Sequence, residues 1–283
     1  MKQTVRLLGG LSVRIVFLVD NISHCSLEAE WGLSVYIEYE GHPILLDTGA
    51  GPLFAANADA LGVDLSRVEF GVLSHAHYDH ADGMEEFFRR NDHAPFYLRE
   101  DCGEDCYDQK EDGSWKYIGI KRGILRAYPD RIVFLRHPFS PLPGVTLLPH
   151  TAPDLAAKGV QAHMFRQTRC CMIPDDFGHE QSLIFETEQG LVVLNSCCHA
   201  GADLVVEEAA AAFPGRPIYA IIGGFHLYDT PPEEVRAFAR RLRDTGVKHV
   251  ITGHCTGQEG FDILKEELGD LVRQTEVGLA LEL

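Results

Sequence analysis

Ionisable side chains are concentrated in the segment LSHAHYDHADG (73–83), which directly follows an apolar stretch of the chain. Alternate residues of an extended segment point the same way, so His75 and His77 can reach one metal ion. A turn after them would bring Asp79 and His80 to a second ion nearby. Neutral imidazoles and a carboxylate are suitable ligands for zinc, iron or manganese. The spacing predicts a metal site rather than a histidine-rich surface turn.

Three further histidines follow apolar stretches typical of strands: His199 in VVLNSCCHAG, His226 in AIIGGFHL and His254 in HVITGHCTG. A single histidine in this position is ordinarily a satisfied polar group, but the ends of neighbouring strands converge in space. We therefore expect His199 and His254 to contact metal. His226 is expected to be a catalytic group, on the substrate side or in proton transfer. The histidines without this context are treated as ordinary residues: His24, His42, His93, His137, His150, His163 and His249.

The chemistry that such a site supports is hydrolysis. A bound divalent ion lowers the pKa of its water towards neutrality and so supplies hydroxide as a nucleophile. Asp79 would ligate and orient that hydroxide and could take up a proton during the attack. The metal would also stabilise charge that develops on a phosphoryl or carbonyl oxygen. Cationic side chains of a middle loop could meet an anionic substrate: Lys110, Lys116, Lys121 and Arg122.

The elements that must position these residues alternate between strands and helices, and no linker composition divides the chain. This favours a single α/β domain over 1–283, with two sheets inside and helices outside. Residues 91–176 are less regular and are expected to form an insertion that shapes the substrate pocket. Asp82 is expected to cap the helix that follows it. Strands are predicted at 13–19, 33–39, 43–47, 68–73, 182–187, 191–196, 218–222, 249–252 and 277–282, with strand-like stretches at 131–135 and 145–148 in the middle region. Helices are predicted at 52–62, 84–90, 204–212, after Thr230, and at 261–268.

The composition and net charge of the chain argue against several classes of binding partner and location. The formal net charge of -17 argues against nucleic acid or an anionic membrane surface as the main partner. No apolar run approaches the ~20 residues that span a bilayer. The N-terminal stretch is interrupted by Gly9, Gly10 and Arg14, so no signal peptide is expected. The eight cysteines are irregularly spaced, which is not the pattern of a disulfide framework, so we expect them to be reduced. Reduced thiols in turn favour a cytoplasmic location.

The segment 73–83 resembles the signature of the metallo-β-lactamase superfamily, which implies a four-layer αββα sandwich. In ILLDTGAG (44–51), the resemblance implies that Asp47 braces the metal-binding loop through hydrogen bonds. Within the superfamily the chain resembles the 7,8-dihydropterin-6-methyl-4-(β-D-ribofuranosyl)aminobenzene-5'-phosphate synthase-like branch. That likeness rests on EWGLSVYIE (30–38), ILLDTG, LSHAHYDHADG, EQSLIF (180–185), CCHAG (197–201), GGFHL (223–227) and HCTG (254–257).

Two departures from the wider superfamily leave the ligand set open. Many of its hydrolases have a Gly-His motif where this chain has PDDFGHEQS, with Asp175, Asp176 and His179 as replacements. The aspartate that bridges the metals in those enzymes falls on Cys197. The sequence therefore leaves open whether Cys197, Asp176 or His179 joins the site, and whether one or two ions bind. Zinc is the expected metal, with iron and manganese as alternatives.

Three functions compete at this stage. The first is a metal-dependent hydrolase that uses a metal-bound hydroxide on a small anionic ester, such as a phosphate ester. The second is the transferase activity that the branch implies, which joins a dihydropterin diphosphate to a ribofuranosylaminobenzene phosphate with loss of diphosphate. The third is a metal-sensing or redox protein that uses the same pocket with its cysteines.

Overall fold

Two seven-stranded sheets form the framework in a computed structural model that describes residues 11–283. Residues 1–10, which include Gly9 and Gly10 of the interrupted N-terminal stretch, lie outside the described residues. The strands are β1 (Val13–Val19), β2 (Ser34–Tyr39), β3 (His42–Leu46), β4 (Phe70–Val72), β5 (Phe96–Arg99), β6 (Cys106–Gln109), β7 (Trp115–Tyr117), β8 (Ile132–Leu135), β9 (Phe139–Leu142), β10 (Val145–Pro149), β11 (Met164–Gln167), β12 (Met172–Pro174), β13 (Gln181–Thr187), β14 (Gly190–Leu194), β15 (Ile218–Gly223), β16 (His249–Thr252), β17 (Val272–Gln274) and β18 (Ala280–Glu282).

Helices cover the outer faces of the two sheets. The longest, α7, places Val235, Phe238, Ala239 and Leu242 on the buried side, as the 3.6-residue pattern predicts. No helix in the range 11–283 is long and apolar enough to cross a membrane. The helices are α1 (Leu53–Leu61), α2 (Tyr78–Ala81), α3 (Met84–Arg90), α4 (Ile124–Ala127), α5 (Leu155–Gln161), α6 (Ala202–Ala212), α7 (Pro232–Asp244) and α8 (Gln258–Leu268).

The first sheet has the strand order β18-β1-β2-β3-β4-β5-β8, and the second has the order β17-β16-β15-β14-β13-β10-β9. Pairing is parallel from β3 through β4 and β5 to β8, and again from β14 through β15 and β16 to β17. Because the carboxyl ends of parallel strands share one edge of a sheet, each sheet presents a row of strand ends to the same region. The site residues follow these strand ends.

Three apolar layers hold the sandwich together and confirm the predicted four-layer αββα arrangement. The layer between the sheets includes Phe17, Ile37, Phe185 and Ile222, all almost fully buried. A second layer packs α1 and α3 against the first sheet, and a third packs α6, α7 and α8 against the other. Burial of this much apolar surface on both faces of each sheet is the main favourable term in folding.

The middle of the chain is more regular than the sequence indicates. Residues 91–176 contribute β5 and β8 to the first sheet, β9 and β10 to the second, and a separate four-stranded antiparallel sheet of order β12-β11-β6-β7. Two of these strands, β8 and β10, confirm the strand-like stretches predicted at 131–135 and 145–148. The others are only three or four residues long, and several are partly exposed, so they lack the apolar pattern of buried strands.

The cap expected from Asp82 is absent. Helix α3 begins after Gly83, and no side chain of residues 11–283 caps it. The Asp82 carboxylate accepts a hydrogen bond from the backbone N–H of Lys121 instead, at 2.7 Å. A tertiary contact with the middle segment therefore takes the carboxylate that local sequence rules assign to the helix.

Candidate metal centre

The candidate site lies where the carboxyl ends of strands from both sheets meet. Asp47 follows β3, and the segment from His75 to His80 follows β4. From the other sheet, His199 follows β14 and His254 follows β16. Asp47 and His254 adopt the left-handed backbone conformation, with φ of 58° and 45°. Non-glycine residues in this conformation carry strain and cluster at functional sites.

The first ligand set consists of His75, His77 and His199, which come from both sheets. Their side chains are buried, and one nitrogen of each lies within 4.8 Å of the others. The Nε2 atoms of His75 and His77 are buried and have no hydrogen-bond partner among residues 11–283. An unpaired buried polar atom costs about 1–3 kcal/mol, so these nitrogens are expected to have a partner that the chain does not supply.

Hydrogen bonds fix which ring nitrogen faces the centre of this set. The Ser74 hydroxyl donates to Asp47 at 2.7 Å, so the Nδ1–H of His75 donates to that hydroxyl at 2.8 Å. The Nδ1–H of His199 donates to the carboxylate of Glu180 at 2.6 Å. In both rings the Nε2 lone pair is therefore free to bind a metal, which is the arrangement that an orienting partner gives to metal-binding histidines.

The second ligand set consists of Asp79, His80 and His254, again within 4.8 Å of one another. Oδ2 of Asp79 lies 3.7 Å from Nε2 of His80 and 3.5 Å from Nε2 of His254. Two N or O ligands of a tetrahedral ion, each about 2.0–2.2 Å from it, are roughly 3.4 Å apart. The donor atoms of the second set are therefore spaced as ligands of one ion would be.

The histidines of the second set are oriented in the same way as those of the first. Asp47 accepts from Nδ1 of His80 at 2.8 Å and from the backbone N–H of Ser74 at 2.7 Å, which are the bracing hydrogen bonds expected of it. Nδ1 of His254 lies 2.9 Å from Oδ1 of Asn21. That oxygen also accepts the N–H of Gly32, so it is the acceptor and His254 is the donor.

Burial sets the charge state of these rings. It lowers the pKa of His75, His77 and His254 well below 6.5, and it lowers the pKa of His199 as well. Neutral imidazoles are the form that binds metal. Burial also disfavours charge on His80, but the carboxylates of Asp79 and Asp47 outweigh it and raise its pKa to about 9. The two carboxylates therefore attract positive charge to this position.

Of the three residues left open by the sequence, the structure places Cys197 in the pocket. Its Sγ lies 3.3 Å from Nε2 of His80 and within 4.8 Å of a nitrogen of His75. Asp176 is exposed. His179 is buried, but its Nδ1 accepts the N–H of Ala76 at 3.1 Å and its Nε2 lies 3.0 Å from Asp175. His179 thus supports the loop with both ring nitrogens.

His226 lies beside the ligand sets. Its ring is 4.7 Å from that of His199 and 5.1 Å from that of Tyr228. Its Nδ1 is buried and has no partner within the described part of the chain, so the atom is free to exchange a proton with a bound molecule. The catalytic role expected of His226 stays a prediction.

The ligand sets open into a cavity of about 850 Å³. One wall carries the exposed rings of Trp31 and Tyr228, which meet edge to face at 5.5 Å. Of the four loop cations expected to meet a substrate, only Lys110 and Lys116 line this cavity. Lys121 pairs with Glu85 at 2.6 Å, and Arg122 donates to the hydroxyl of Tyr107 at 2.6 Å.

A buried chain of hydrogen bonds behind the site is not anticipated from the sequence. Glu180 accepts from His199 and also bonds His150 at 2.8 Å, and His150 bonds Glu208 of α6 at 2.7 Å. His150, treated above as an ordinary residue, is thus a buried member of the chain. Glu180 and Asn21 each lie at the end of a strand, which is the one sequence signal that could have identified them.

Comparison with known proteins identifies similar sequences and folds. The sequence model of a family described as the metallo-beta-lactamase superfamily matches residues 32–157. A protein of Methanocaldococcus jannaschii named 7,8-dihydropterin-6-methyl-4-(beta-D-ribofuranosyl)-aminobenzene-5'-phosphate synthase is 25% identical to this chain over 285 residues. The match covers 92% of this chain and 96% of that protein.

Solved structures show the same fold. A protein described as a metal-dependent hydrolase of the beta-lactamase superfamily superposes with a TM-score of 0.82 and 28% identity. The match covers 96% of this chain and 99% of that one. A diphosphatase of the PhnP family superposes with a TM-score of 0.53 at 14% identity, covering 97% and 98% of the two chains, and supports the fold alone.

Proposed function

The chain belongs to the metallo-β-lactamase superfamily, and on that basis we propose that it is a metal-dependent hydrolase of a small anionic ester, with a phosphate ester as the expected substrate. One observation carries the proposal. Four histidines, His75, His80, His199 and His254, use Nδ1 for a hydrogen bond to the protein and direct Nε2 towards a common pocket. That arrangement fits one or two divalent ions, of which zinc is the expected one.

A divalent ion bound there would lower the pKa of a water and stabilise negative charge on the substrate. Asp79 faces both histidines of its set and lines the cavity, so its carboxylate can orient a water and accept a proton from it. His226 can deliver a proton to the leaving group from Nδ1, the nitrogen that no described residue contacts by a hydrogen bond.

The cavity favours a substrate with a flat ring beside its anionic group. Trp31 packs against the ligand His254 at 5.4 Å between ring centroids, so a ring stacked on Trp31 would hold its ester close to the ligand sets. The anionic group would be attracted by the metal rather than by the wall, because Asp108, Glu111 and Asp229 there offset the lysines. Stacking and metal binding would then orient the two ends of one molecule.

A second candidate function is transfer of the dihydropterin group to a ribofuranosylaminobenzene phosphate with loss of diphosphate. The Methanocaldococcus jannaschii relative favours it by its name. A second cavity of about 470 Å³ adjoins the first and shares His199 and His226 with it. Two adjoining cavities could hold the two substrates of a transfer reaction.

One experiment distinguishes the two functions. The protein is loaded with zinc, iron(II) or manganese, its metal content is measured, and it is assayed with a generic phosphodiester, a lactone and a β-lactam. A parallel assay supplies the dihydropterin diphosphate and the aminobenzene acceptor and measures released diphosphate. Ester hydrolysis without need of an acceptor supports the hydrolase. Diphosphate release that requires the acceptor, with every ester left intact, overturns it in favour of the transferase.

A further inference from the structure

Two thiols lie inside the candidate metal pocket and close to each other. Sγ of Cys197 is 3.4 Å from Sγ of Cys255, and both side chains are almost fully buried. Cys197 precedes His199 by two residues, and Cys255 directly follows His254. The two cysteines thus lie in the chain segments that supply His199 to the first ligand set and His254 to the second.

The surrounding structure leaves room for these sulfurs. A Cβ atom added at Gly224 would lie 2.5 Å from Sγ of Cys255, so glycine keeps the space that this thiol occupies. The backbone N–H of His226 lies 3.2 Å from the same sulfur and donates to it. Cys198, the next residue along, differs: its thiol donates to the carbonyl of Asn195 and packs in the apolar layer under α6. Cys198 lines the second cavity and not the first, whereas the Cys197–Cys255 pair faces the first cavity, beside the ligand sets.

We propose that Cys197 and Cys255 form an oxidative modification site, at which a small hydroperoxide from solvent converts the two thiols into an intramolecular disulfide. One thiol, as the thiolate, attacks the outer oxygen of the peroxide, which breaks the O–O bond, releases an alcohol or water and leaves a sulfenic acid. The second thiol attacks that sulfur and expels water. Two thiols and one hydroperoxide thus give one disulfide, one alcohol and one water, with the peroxide as the two-electron acceptor.

Formation of the bond would disturb both ligand sets. A disulfide holds its sulfurs about 2.05 Å apart, so the atoms now 3.4 Å apart must approach each other. Cys197 would move relative to His80, and the segments that carry His199 and His254 would move with the two cysteines. We expect the oxidised protein to bind metal about tenfold more weakly or worse, the size of effect seen when metal ligands lose their supporting contacts.

Peptide mapping of the holoprotein tests the proposal. The exposed thiols Cys25, Cys170 and Cys171 are replaced by serine so that they do not consume oxidant. The metal-loaded protein is then treated with one equivalent of hydrogen peroxide. We expect the mass to fall by two hydrogens, the peptides that contain Cys197 and Cys255 to be linked, metal to be released to a colorimetric chelator, and dithiothreitol to reverse all three changes.

Matched variants complete the test. Cys255→Ser is expected to abolish the linked peptide, and Cys198→Ser is expected to keep it. If Cys255→Ser fails to fold, the mapping of the parent protein still decides the outcome. A cross-link to any other cysteine, or sulfinic acid in place of a disulfide, overturns the proposal. The mass change and the linked peptide report the disulfide and do not depend on metal. If the reduced protein fails to bind metal, that result therefore counts against the metal centre and not against the disulfide.

Discussion

Glu180 accepts a hydrogen bond from Nδ1 of His199 at 2.6 Å. His199 follows β14, and Glu180 directly precedes the neighbouring strand β13, so this contact fixes the position of the histidine. Glu180 is fully buried, and its other oxygen contacts His150. Burial alone would raise the pKa of Glu180, but the hydrogen bonds from His150 and His199 lower it well below 4.5. The carboxylate is therefore ionised, and it sets both the orientation and the tautomer of His199.

Replacement of Glu180 is expected to weaken metal binding without removing a ligand. Glu180→Gln keeps the size of the side chain but loses the charge that holds Nδ1–H of His199. We expect the metal affinity to fall about 10- to 100-fold, measured by competition with a chromophoric chelator. Glu186→Gln, on the strand β13 that Glu180 directly precedes, is the control, since Glu186 is half-buried and its one ion pair among the described residues is with Arg216 at 4.0 Å. Equal affinity in the two variants would show that His199 does not depend on Glu180.

Removal of one ligand is expected to change metal stoichiometry. His77 contributes a buried nitrogen that has no hydrogen-bond partner in the described residues, so His77→Ala should lose at least one ion per chain. His42→Ala is the control, because His42 pairs with Glu69 on the surface at 2.8 Å. Metal content is measured by elemental analysis after gel filtration. Unchanged stoichiometry in His77→Ala would contradict the assignment of the first ligand set.

Stability should depend on pH through His150. Burial opposes protonation of this ring, but hydrogen bonds to Glu180 and Glu208 outweigh it and raise its pKa from 6.5 to about 9. Because the folded-state pKa lies above the unfolded one, the stabilisation is complete below about pH 6.5 and is lost as the pH rises through about 9. The shift corresponds to on the order of 3 kcal/mol.

Urea unfolding of the metal-loaded protein at pH 7, 8, 9 and 10 measures this dependence. The free energy of unfolding of the parent protein should fall over this range more steeply than that of His150→Gln. The difference between the two curves isolates His150, since the other titrating groups are common to both proteins. Parallel curves would show that His150 is not protonated in the folded state.

The aromatic wall should affect substrate binding and leave the metal in place. Trp31→Ala removes the ring that packs on Tyr228 and is expected to raise KM about 3- to 10-fold, from the ~0.5–1.5 kcal/mol of an aromatic contact. Trp115→Ala is the matched control, because Trp115 packs on Phe165 and does not line the cavity. Metal content is measured in both variants. A change in kcat alone, with KM unchanged, would argue against a ring-binding wall.

Sequence patterns predicted most of the two large sheets because their central strands are buried on both faces and are almost entirely apolar. Strands β1 and β16 have the predicted bounds, and β2, β3, β13, β14 and β15 differ from the predicted ranges by one or two residues at one or both ends. The small sheet formed by β6, β7, β11 and β12 was missed. Its strands alternate buried, half-buried and exposed residues over three or four positions, which is too short for a periodic signal.

The sequence by itself determined which residue types could hold a metal, since His75, His77, Asp79 and His80 lie within six positions and need only a local turn to converge. The tertiary structure decided which residues support them. Asn21, Glu180 and Cys255 come from separate strand ends, and their roles depend on contacts such as the 2.9 Å hydrogen bond between Asn21 and His254, across 233 positions of the chain. A pattern along the chain reports local geometry, whereas an orienting hydrogen bond depends on which strand ends the two sheets bring together.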